Sequence, residues 1–268
     1  MQNTEIKEWG LLAKHCARSA EKLIEDMLSR PLEVTYKSSA SDLVTSVDRA
    51  VEQMVIDEII KKYPEHGVLG EEGLVACKPF DFDTVWMVDP IDGTTNFVHQ
   101  QQNYCISIAA YHKGVCQVGA VYDPTRKELF YAERGGGVFL NDSPLQVERN
   151  KEMKEALWST SLFWNRRAMK SGLSEKAQRL AHRSRGVRVY GVAALELAYV
   201  AAGRLDAYIS LGLNPWDYGA GLLLVQEAGC RITTLDGNEV PFGERSSILA
   251  ANPNLYDFLL EFLTEHPV

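Results

Sequence analysis

Asp89 and Asp92 lie three residues apart at the end of an apolar run, residues 85–88, that has the composition of a buried strand. Two carboxylates at this spacing repel each other unless a cation lies near both. Gly93 and the two threonines after it are small or hydroxylated residues of the kind that begin a helix. The N–H groups at a helix start favour an anion. A hard metal ion together with a phosphate group would satisfy both demands, so the segment predicts a metal-assisted phosphate site.

Glu71 and Asp217 supply two further carboxylates at the ends of predicted elements. Glu71 follows a short predicted strand at residues 68–70, and Asp217 stands at the start of a predicted helix. No His or Cys adjoins either residue. Oxygen donors of this kind suit Mg²⁺ or Mn²⁺. Two such ions that share a carboxylate could hold a phosphate and activate a water molecule at neutral pH.

Each of these carboxylates also has a purely structural interpretation. Asp217 could be only the N-cap of its helix. Asp92 before Gly93, and Glu71 beside Glu72, could be only turn residues. Taken singly, the structural interpretation is the more common one in proteins, and the residues alone leave both interpretations open.

Two amphipathic helices are predicted at the start of the chain. The first thirty residues carry apolar side chains at helical spacing up to Pro31, and a second helix is predicted over residues 41–63. Asp48 falls on the apolar stripe of that second helix. A charged side chain that faces a core needs a partner. Asp48 is therefore half of a buried ion pair, part of a frayed face, or a member of the site.

The pattern of the chain changes near residues 145–155. Before this point, β-rich segments over residues 104–140 are separated by turns, one of them the triple glycine at 135–137, and predict a mostly antiparallel sheet of consecutive hairpins. After it, strands and helices alternate, beginning with a strand at 156–163 and a helix at 165–182. We expect two lobes, residues 1–148 with the antiparallel sheet and two helices, and residues 149–268 with an α/β pattern.

The composition argues against several classes of protein. Of the 268 residues 46% are hydrophobic, which allows a substantial core, and the formal net charge of −8 argues against a general nucleic-acid surface. No apolar run approaches membrane-spanning length, and no secretory signal is visible. The five scattered cysteines contain no CxxC pair and fit reduced thiols. We expect a cytoplasmic protein without a membrane partner.

Although the net charge of the chain is negative, four arginines form a local positive cluster. Its members are Arg179, Arg183, Arg185 and Arg188. Such a cluster is usually a solvated face, but near a phosphate site it could guide an anionic substrate.

Three segments of the chain resemble the signatures of the inositol monophosphatase family, which belongs to the magnesium-dependent, lithium-sensitive phosphatase superfamily. They are GEE at 70–72, WMVDPIDGTTNFVH at 86–99 and WDYGAG at 216–221. The match extends to residues 37–39, 42–48, 114–115 and 227–229. The resemblance implies an α+β fold with layers in the order α-β-α-β-α, formed by residues 1–268 as a single domain. It also implies a homodimer and a small phosphate ester as substrate.

The resemblance further implies a set of metal ligands. Glu71, Asp89 and the carbonyl of Ile91 would hold one Mg²⁺ ion. Asp89, Asp92 and Asp217 would hold a second ion, with Asp89 as the bridge between the two. Two or three ions are expected in all, with Mn²⁺ as the alternative metal.

Catalytic and substrate-binding residues are carried over in the same way. Thr94, with Asp48 and Glu71, would orient and deprotonate the attacking water, which would explain why Asp48 lies on an apolar stripe. The N–H groups of Gly93 and Thr94 would bind phosphate oxygens during in-line attack, without a covalent intermediate. The residues implied in substrate binding are Asp92, Gly93, Thr94, Gly191, Val192, Ala193, Ser210 and Asp217.

Ser210 departs from the family pattern. Seven residues before the Asp of the WD motif, the family places a Glu that binds the inositol hydroxyls, and this chain has Ser210 there. The Gly-Thr-Ala of the substrate wall is Gly191-Val192-Ala193. A shorter, uncharged side chain leaves room for a larger or anionic leaving group.

The alternatives to an inositol monophosphatase therefore include fructose-1,6-bisphosphatase and NADP(H) phosphatase activity. A nucleotide 3′-phosphatase is disfavoured because the chain lacks insertions for a base pocket. A non-enzymatic alternative is an interaction partner of RNA-processing or transcription machinery. The net charge of −8 gives little support for direct contact with RNA in such a role.

Overall fold

The computed structural model describes residues 3–29, 34–36, 43–147 and 151–265, and these contain two large sheets separated and covered by helices. A short antiparallel pair precedes them, formed by β1 (Val34–Tyr36) and β2 (Leu43–Thr45). The first large sheet has seven strands, which follow one another in chain order: β3 (Gly67–Gly70), β4 (Thr84–Asp92), β5 (Cys105–His112), β6 (Val115–Asp123), β7 (Glu128–Glu133), β8 (Gly137–Leu140) and β9 (Ser143–Pro144). Strand β3 is parallel to β4, and the remaining strands pair antiparallel, as predicted for residues 104–140.

The second large sheet has five strands and a mixed topology. In chain order these are β10 (Leu157–Thr160), β11 (Gly186–Arg188), β12 (Ala207–Leu213), β13 (Arg231–Thr233) and β14 (Ser246–Ala251). The spatial order is β11-β10-β12-β14-β13. The first three of these are parallel, and β14 is antiparallel to both its neighbours.

Eight helices of the described ranges complete the layers. They are α1 (Asn3–Leu28), α2 (Ser46–Lys62), α3 (Thr94–Gln100), α4 (Arg166–Lys170), α5 (Leu173–Arg183), α6 (Ala193–Ala201), α7 (Pro215–Glu227) and α8 (Pro253–Thr264). Helices α1 and α2 cover one face of the seven-stranded sheet, α6 and α7 lie between the sheets, and α5 and α8 cover the far face of the five-stranded sheet. The α-β-α-β-α order predicted from the resemblance is confirmed.

Strand β4 shows why its sequence is apolar throughout. Trp86 and Val88 pack with α1 and α2, whereas Met87 between them packs with α7 and its neighbours on the other face. A strand that is buried on both faces needs a continuous apolar run and cannot alternate with polar residues.

Helix α2 begins later than the sequence predicts. Leu43–Thr45 forms strand β2, and the helix starts at Ser46, while residues 41 and 42 lie outside the described residues. Thr45 is the N-cap: its hydroxyl accepts hydrogen bonds from the Val47 and Asp48 N–H groups, and the Asp48 carboxylate accepts one from the Thr45 N–H. This reciprocal capping box fixes the helix start, which the apolar stripe alone does not mark.

The helix predicted over residues 165–182 is two helices. Helix α4 ends at Lys170 and α5 begins at Leu173. Gly172 between them has φ +77°, a left-handed conformation that an α-helix cannot contain. The strand predicted at 156–163 is also shorter, because only Leu157–Thr160 pairs with its neighbours.

Two other expectations can be compared with the structure. Among the helices of the described ranges, none has the length and apolar composition needed to cross a membrane. All five cysteines are free thiols, as expected.

His66 gives the fold a predictable response to acid. Its ring is buried against Trp9 and Tyr63, and the Trp86 Nε1–H donates to its Nδ1 at 3.0 Å, which requires that nitrogen to be unprotonated. Burial lowers the pKa of His66 below its ordinary value, against the opposing charge of Glu65. The unfolded chain then binds a proton that the folded chain excludes, so stability is lost as the pH falls below the ordinary histidine range.

We expect the melting temperature of the wild type to fall more between pH 7.5 and pH 5 than that of His66→Gln, because glutamine can accept the same hydrogen bond without titrating. Thermal unfolding monitored by circular dichroism measures this difference. His15→Gln, an exposed histidine of α1, is the matched control and should behave as the wild type. Equal acid sensitivity in His66→Gln and the wild type would contradict the assignment.

Candidate active site

One cavity of about 420 Å³ contains nearly every residue that the sequence predicts for the site. Its lining includes Glu71, Asp89, Ile91, Asp92, Gly93, Thr94, Gly191, Val192, Ala193, Ser210 and Asp217. The remaining predicted residue, Asp48, lies behind Thr94 and contacts its hydroxyl. Residues from both large sheets are therefore brought together, although they are up to 146 positions apart in the chain, from Glu71 to Asp217.

A bulge in β4 explains how Asp89 and Asp92 come to share this cavity. Residues three apart in a regular strand point to opposite faces. Asp89 pairs with Ser107 and Asp92 with Cys105, so β4 has three steps where β5 has two. The extra residue returns Asp92 to the face of Asp89. Pro90 lies within this irregular stretch and has no N–H to donate to the ladder, which suits it to a bulge.

Gly93 turns the chain from this strand into helix α3. It is the N-cap of the helix and has φ +93°, a left-handed conformation that glycine adopts at least cost. The Phe97 N–H donates to the Gly93 carbonyl at 2.9 Å and closes the first helical turn. The first N–H groups of any α-helix have no hydrogen-bond partner inside the helix. At the start of α3, Gly93 and Thr94 line the cavity.

Asp48 and Thr94 form the contact that the sequence predicts. The Thr94 hydroxyl lies 3.2 Å from Asp48 Oδ1 and 3.0 Å from the Ile91 carbonyl oxygen, either of which can accept its proton. Asp48 Oδ2 accepts hydrogen bonds from the N–H and the hydroxyl of Thr45. Burial raises the pKa of Asp48, and the hydrogen bonds from Thr45 act in the opposite direction. These partners account for a carboxylate that is 1% exposed on an apolar helix face.

The carboxylates in the cavity destabilise one another's charged forms. Burial raises the pKa of Asp89, and the charges of Glu71, Asp92 and Asp217 add to the shift. The pKa of Asp92 is raised by burial and, to a smaller extent, by the charge of Asp217. Burial also raises the pKa of Asp217, to about 7. A cation between these groups would remove this repulsion.

Backbone N–H groups fix one oxygen of each of the three aspartates by a hydrogen bond. Asp89 Oδ1 accepts from the Ile91 N–H at 3.1 Å, Asp92 Oδ2 from the Ala194 N–H at 2.6 Å and Asp217 Oδ2 from the Asn214 N–H at 2.8 Å. In the part of the chain that the structure describes, no three His, Cys, Asp or Glu side chains converge as the ligands of a bound ion would. The donor set nevertheless fits Mg²⁺ chemically, because each aspartate retains a second oxygen and all the donors are oxygens.

Asp217 is not the N-cap that the structural interpretation of the sequence proposes, although it does take part in capping the helix. Helix α7 begins at Pro215, and Asn214 is its N-cap. Asp217 is the third helical residue and accepts from the Asn214 N–H in a capping box. Its position within the first turn, near the positive end of the helix dipole, lies at the cavity wall.

The part of the cavity lining formed by residues 191–193 is anchored by a residue that was not predicted from the sequence. Glu196 of α6 is 3% exposed, and its Oε1 accepts hydrogen bonds from the Ser159 hydroxyl and from the Tyr190 N–H. Asn96 of α3 donates to the Tyr190 carbonyl at 2.7 Å from the other side. A lone acid in a helix of small apolar residues is the signal that could have identified Glu196.

Further lining residues give the cavity a polar interior and a partly apolar mouth. Ser210 on β12 is 3% exposed and lies with Thr160 and Tyr208 in the interior. Trp164 and Val189 line the cavity and expose 56% and 44% of their surface. None of these side chains other than Ser210 was predicted from the sequence.

The arginine cluster does not line this cavity. Its four members are exposed, and Arg179 and Arg183 lie over the rings of Phe262 and Phe258 of α8, at 5.1 and 5.8 Å from the ring centres. The solvated-face interpretation of the cluster therefore fits the structure better than a role in guiding substrate.

The profile of the inositol monophosphatase family matches residues 6–267 of this chain. The chain belongs to the inositol monophosphatase family. An inositol-1-monophosphatase of Bacillus subtilis (strain 168) is 41% identical over 261 residues, which cover 96% of each chain. The Nus factor SuhB of Pseudomonas aeruginosa is 38% identical and covers 95% of each chain. A fructose-1,6-bisphosphatase/inositol-1-monophosphatase of Thermotoga maritima is 35% identical and covers 87% of this chain and 86% of its own.

Solved structures of inositol monophosphatases have the same fold. A staphylococcal inositol monophosphatase II with bound inositol monophosphate superposes with a TM-score of 0.81 at 32% identity, covering 93% of this chain and 91% of its own. An inositol monophosphatase/NADP phosphatase in complex with Mg²⁺ and phosphate superposes with a TM-score of 0.88 at 26% identity, covering 98% and 97%. Membership of this family identifies the chain as a phosphatase.

Proposed function

We propose that this chain is a Mg²⁺-dependent phosphomonoesterase that hydrolyses inositol monophosphate or a related sugar phosphate with a metal-activated water. The observation that supports this most strongly is that Glu71, Asp89, Asp92 and Asp217 all line one cavity, which the start of α3 lines as well. Four carboxylates that repel one another, beside N–H groups that favour an anion, fit two cations and a phosphate.

The proposed ligands are those implied by the family resemblance. Glu71, Asp89 and the Ile91 carbonyl would hold one ion, and Asp89, Asp92 and Asp217 the other, with two or three ions in all. When bound, the ions would neutralise charge on the phosphate oxygens and lower the pKa of a water molecule.

The remaining steps belong to residues of the chain. The N–H groups of Gly93 and Thr94 would bind phosphate oxygens and orient the phosphorus for in-line attack. The Thr94 hydroxyl can donate a hydrogen bond to Asp48 Oδ1, and its oxygen would then accept a hydrogen bond from the attacking water. Thr94 and Glu71 together would orient that water. The alcohol would leave along the wall formed by residues 191–193.

Phosphate release with Mg²⁺ tests this proposal on a panel of inositol 1-phosphate, fructose 1,6-bisphosphate, NADP⁺ and adenosine 3′,5′-bisphosphate. We expect hydrolysis of inositol 1-phosphate that EDTA abolishes. Hydrolysis that persists in EDTA, or no hydrolysis of any of the four, would overturn the mechanism.

A second candidate is activity on fructose 1,6-bisphosphate or NADP(H). Ser210 supports it, because a buried serine in place of a glutamate removes a charge and leaves room beside the leaving group. Exposed Trp164 at the cavity mouth offers an apolar surface that a polyol does not require. Relatives with these substrates in their names, from Thermotoga maritima and among the solved structures, support the same alternative.

Ser210→Glu is expected to raise kcat/KM for inositol 1-phosphate relative to fructose 1,6-bisphosphate, by about tenfold. A carboxylate at this position can accept hydrogen bonds from ring hydroxyls but repels a second phosphate, and one charged hydrogen bond contributes about 1.5–3 kcal/mol. Steady-state kinetics on both substrates measures the ratio. Ser210→Gln is the control, because it adds a similar volume without the charge. An unchanged ratio in Ser210→Glu would count against a role of this position in specificity.

We also propose a cytoplasmic, lithium-sensitive homodimer, in line with the family. A non-enzymatic role is the alternative from another class, since several relatives are named Nus factor SuhB. An Asp89→Asn variant distinguishes the two, because it should lose hydrolysis and retain any binding to transcription machinery.

A further inference from the structure

Glu52 is a buried carboxylate that the proposed chemistry does not use. It lies on α2 one helical turn after Asp48, and its side chain is 0% exposed. A charged group that is fully removed from water must be held by hydrogen bonds, so its partners indicate its role.

Both oxygens of Glu52 bind the segment that follows Glu71. Oε2 accepts from the Glu72 N–H at 2.7 Å and Oε1 from the Leu74 N–H at 3.1 Å. On the preceding side, the Glu71 N–H donates to the Val88 carbonyl at 3.1 Å. The backbone of Glu71 is therefore fixed between strand β4 and helix α2.

Gly70 makes this contact possible. A Cβ added at Gly70 would lie 2.3–2.6 Å from the carboxyl atoms of Glu52, closer than any real contact. The carboxylate thus occupies the space that a side chain at position 70 would need, and it reaches the backbone only because that residue is glycine.

Helix α2 presents two carboxylates to two different parts of the site. Asp48 contacts Thr94, and Glu52 holds the segment of Glu71. An α-helix is rigid over one turn, with a rise of about 5.4 Å. The helix therefore sets the position of the Glu71 segment relative to the Thr94 hydroxyl.

We propose that Glu52 is a positioning residue for Glu71, acting through the two backbone hydrogen bonds to Glu72 and Leu74. This inference rests on the proposed function, in which Glu71 is a metal ligand and orients water. It concerns the geometry of the ligand and assigns Glu52 no contact with metal or substrate. A residue of this kind controls the affinity for the ion more than the binding of the alcohol.

The variants Glu52→Gln and Glu52→Asp test it, with Asp57→Asn as the matched control. Glutamine has the same size but turns an NH₂ group toward one of the two N–H donors. Aspartate keeps the charge and withdraws it by one methylene. Asp57 is an exposed carboxylate on the same helix, so its replacement controls for loss of a charge. Mg²⁺ binding is measured by titration calorimetry without substrate, Mg²⁺ half-saturation and KM are measured by phosphate release, and unfolding is followed in EDTA.

We expect Glu52→Gln to weaken Mg²⁺ binding about tenfold to a hundredfold, Glu52→Asp to do so by a smaller factor, and Asp57→Asn to remain within about twofold of the wild type. The KM for substrate at saturating Mg²⁺ should change little. If Glu52→Gln fails to fold, Glu52→Asp provides the same comparison.

Two results would overturn the inference. A purely structural role for Glu52 would lower the melting temperature in EDTA and leave the Mg²⁺ affinity of the folded variants unchanged. Weakened substrate binding with unchanged Mg²⁺ affinity would place its effect elsewhere. A wild type that binds Mg²⁺ but hydrolyses no phosphate ester would instead refute the proposed function, and the calorimetric comparison of the variants would still decide the role of Glu52.

Discussion

Asp89→Asn is expected to lower kcat/KM by about a thousandfold or more. Asp89 is the one carboxylate proposed to bind both ions, and an amide in its place keeps the shape but loses the charge. The ions contribute several kcal/mol of charge stabilisation in the transition state, and about 4 kcal/mol corresponds to a factor of about a thousand. Phosphate release over a range of Mg²⁺ concentrations measures the loss, which excess Mg²⁺ should not reverse.

Stability without the metal provides an independent measurement on the same variant. Asp89 is 1% exposed, and its burial, followed by the charges of Glu71, Asp92 and Asp217, raises its pKa. Removing one of four charges that repel one another should raise the melting temperature in EDTA above that of the wild type. Added Mg²⁺ should then stabilise the wild type, because it binds the folded state, and should stabilise the variant much less.

Asp83→Asn is the matched control for Asp89→Asn. Asp83 immediately precedes strand β4 and is exposed, with Lys113 3.9 Å away. This variant should match the wild type in activity and in its response to Mg²⁺. A Mg²⁺-induced rise in melting temperature that is equal in Asp89→Asn and the wild type would contradict the assignment of Asp89 as a ligand.

The sequence predicts the order of strands and helices well where the apolar pattern of a segment and the turn residues that flank it indicate the same element. The double-sided burial of β4 is encoded in an unbroken apolar run, and the hairpins of residues 104–140 are encoded in alternating β-rich segments and turns. The family signatures then predict which carboxylates share a site: Glu71, Asp89, Asp92 and Asp217 line the cavity, and Asp48 contacts Thr94 behind it. Their roles as metal ligands stay predictions.

Side-chain partners that come from distant segments are what the sequence does not predict. Glu52 lies on the same face as Asp48, yet its partners are twenty and twenty-two residues away and bind it through their backbone. Backbone N–H groups have no sequence signal, since every residue except proline has one. Glu196 also binds a backbone N–H group, that of Tyr190, and its distant partner is the hydroxyl of Ser159 on strand β10.

The break between α4 and α5 has a local cause that a helical pattern conceals. Residues 165–182 have a helical composition, and a single glycine inside such a pattern is often tolerated. Only the positive φ of Gly172 shows that the chain turns there. The bulge in β4 is similar, because Pro90 signals an irregularity, but the pairing of Asp89 with Ser107 and of Asp92 with Cys105 shows that one residue is added.

Gly93→Ala is expected to lower kcat/KM by about a hundredfold and to destabilise the fold by about 2–3 kcal/mol. The backbone at Gly93 has φ +93°, which costs an alanine about 1–2 kcal/mol. A Cβ there would also lie 2.8 Å from Val192 Cγ2 and 3.1 Å from the Asn103 carbonyl oxygen. The N–H groups proposed to bind phosphate and the substrate wall at Val192 would both have to move. A displacement of about 1 Å in such groups can cost a factor of about a hundred.

Two further variants separate the backbone strain at Gly93 from the steric conflict. Gly135→Ala places an alanine at φ +74° in a hairpin turn where an added Cβ meets no atom within 4 Å, so it measures the cost of the backbone conformation alone. Gly93→Ala combined with Val192→Ala removes the contact with Val192 and keeps the strain. If the steric conflict displaces the phosphate-binding N–H groups, the double variant should recover part of the activity lost in Gly93→Ala, while its stability stays limited by the cavity left at Val192. A Gly93→Ala enzyme with wild-type kcat/KM would show that phosphate binding does not depend on the start of α3.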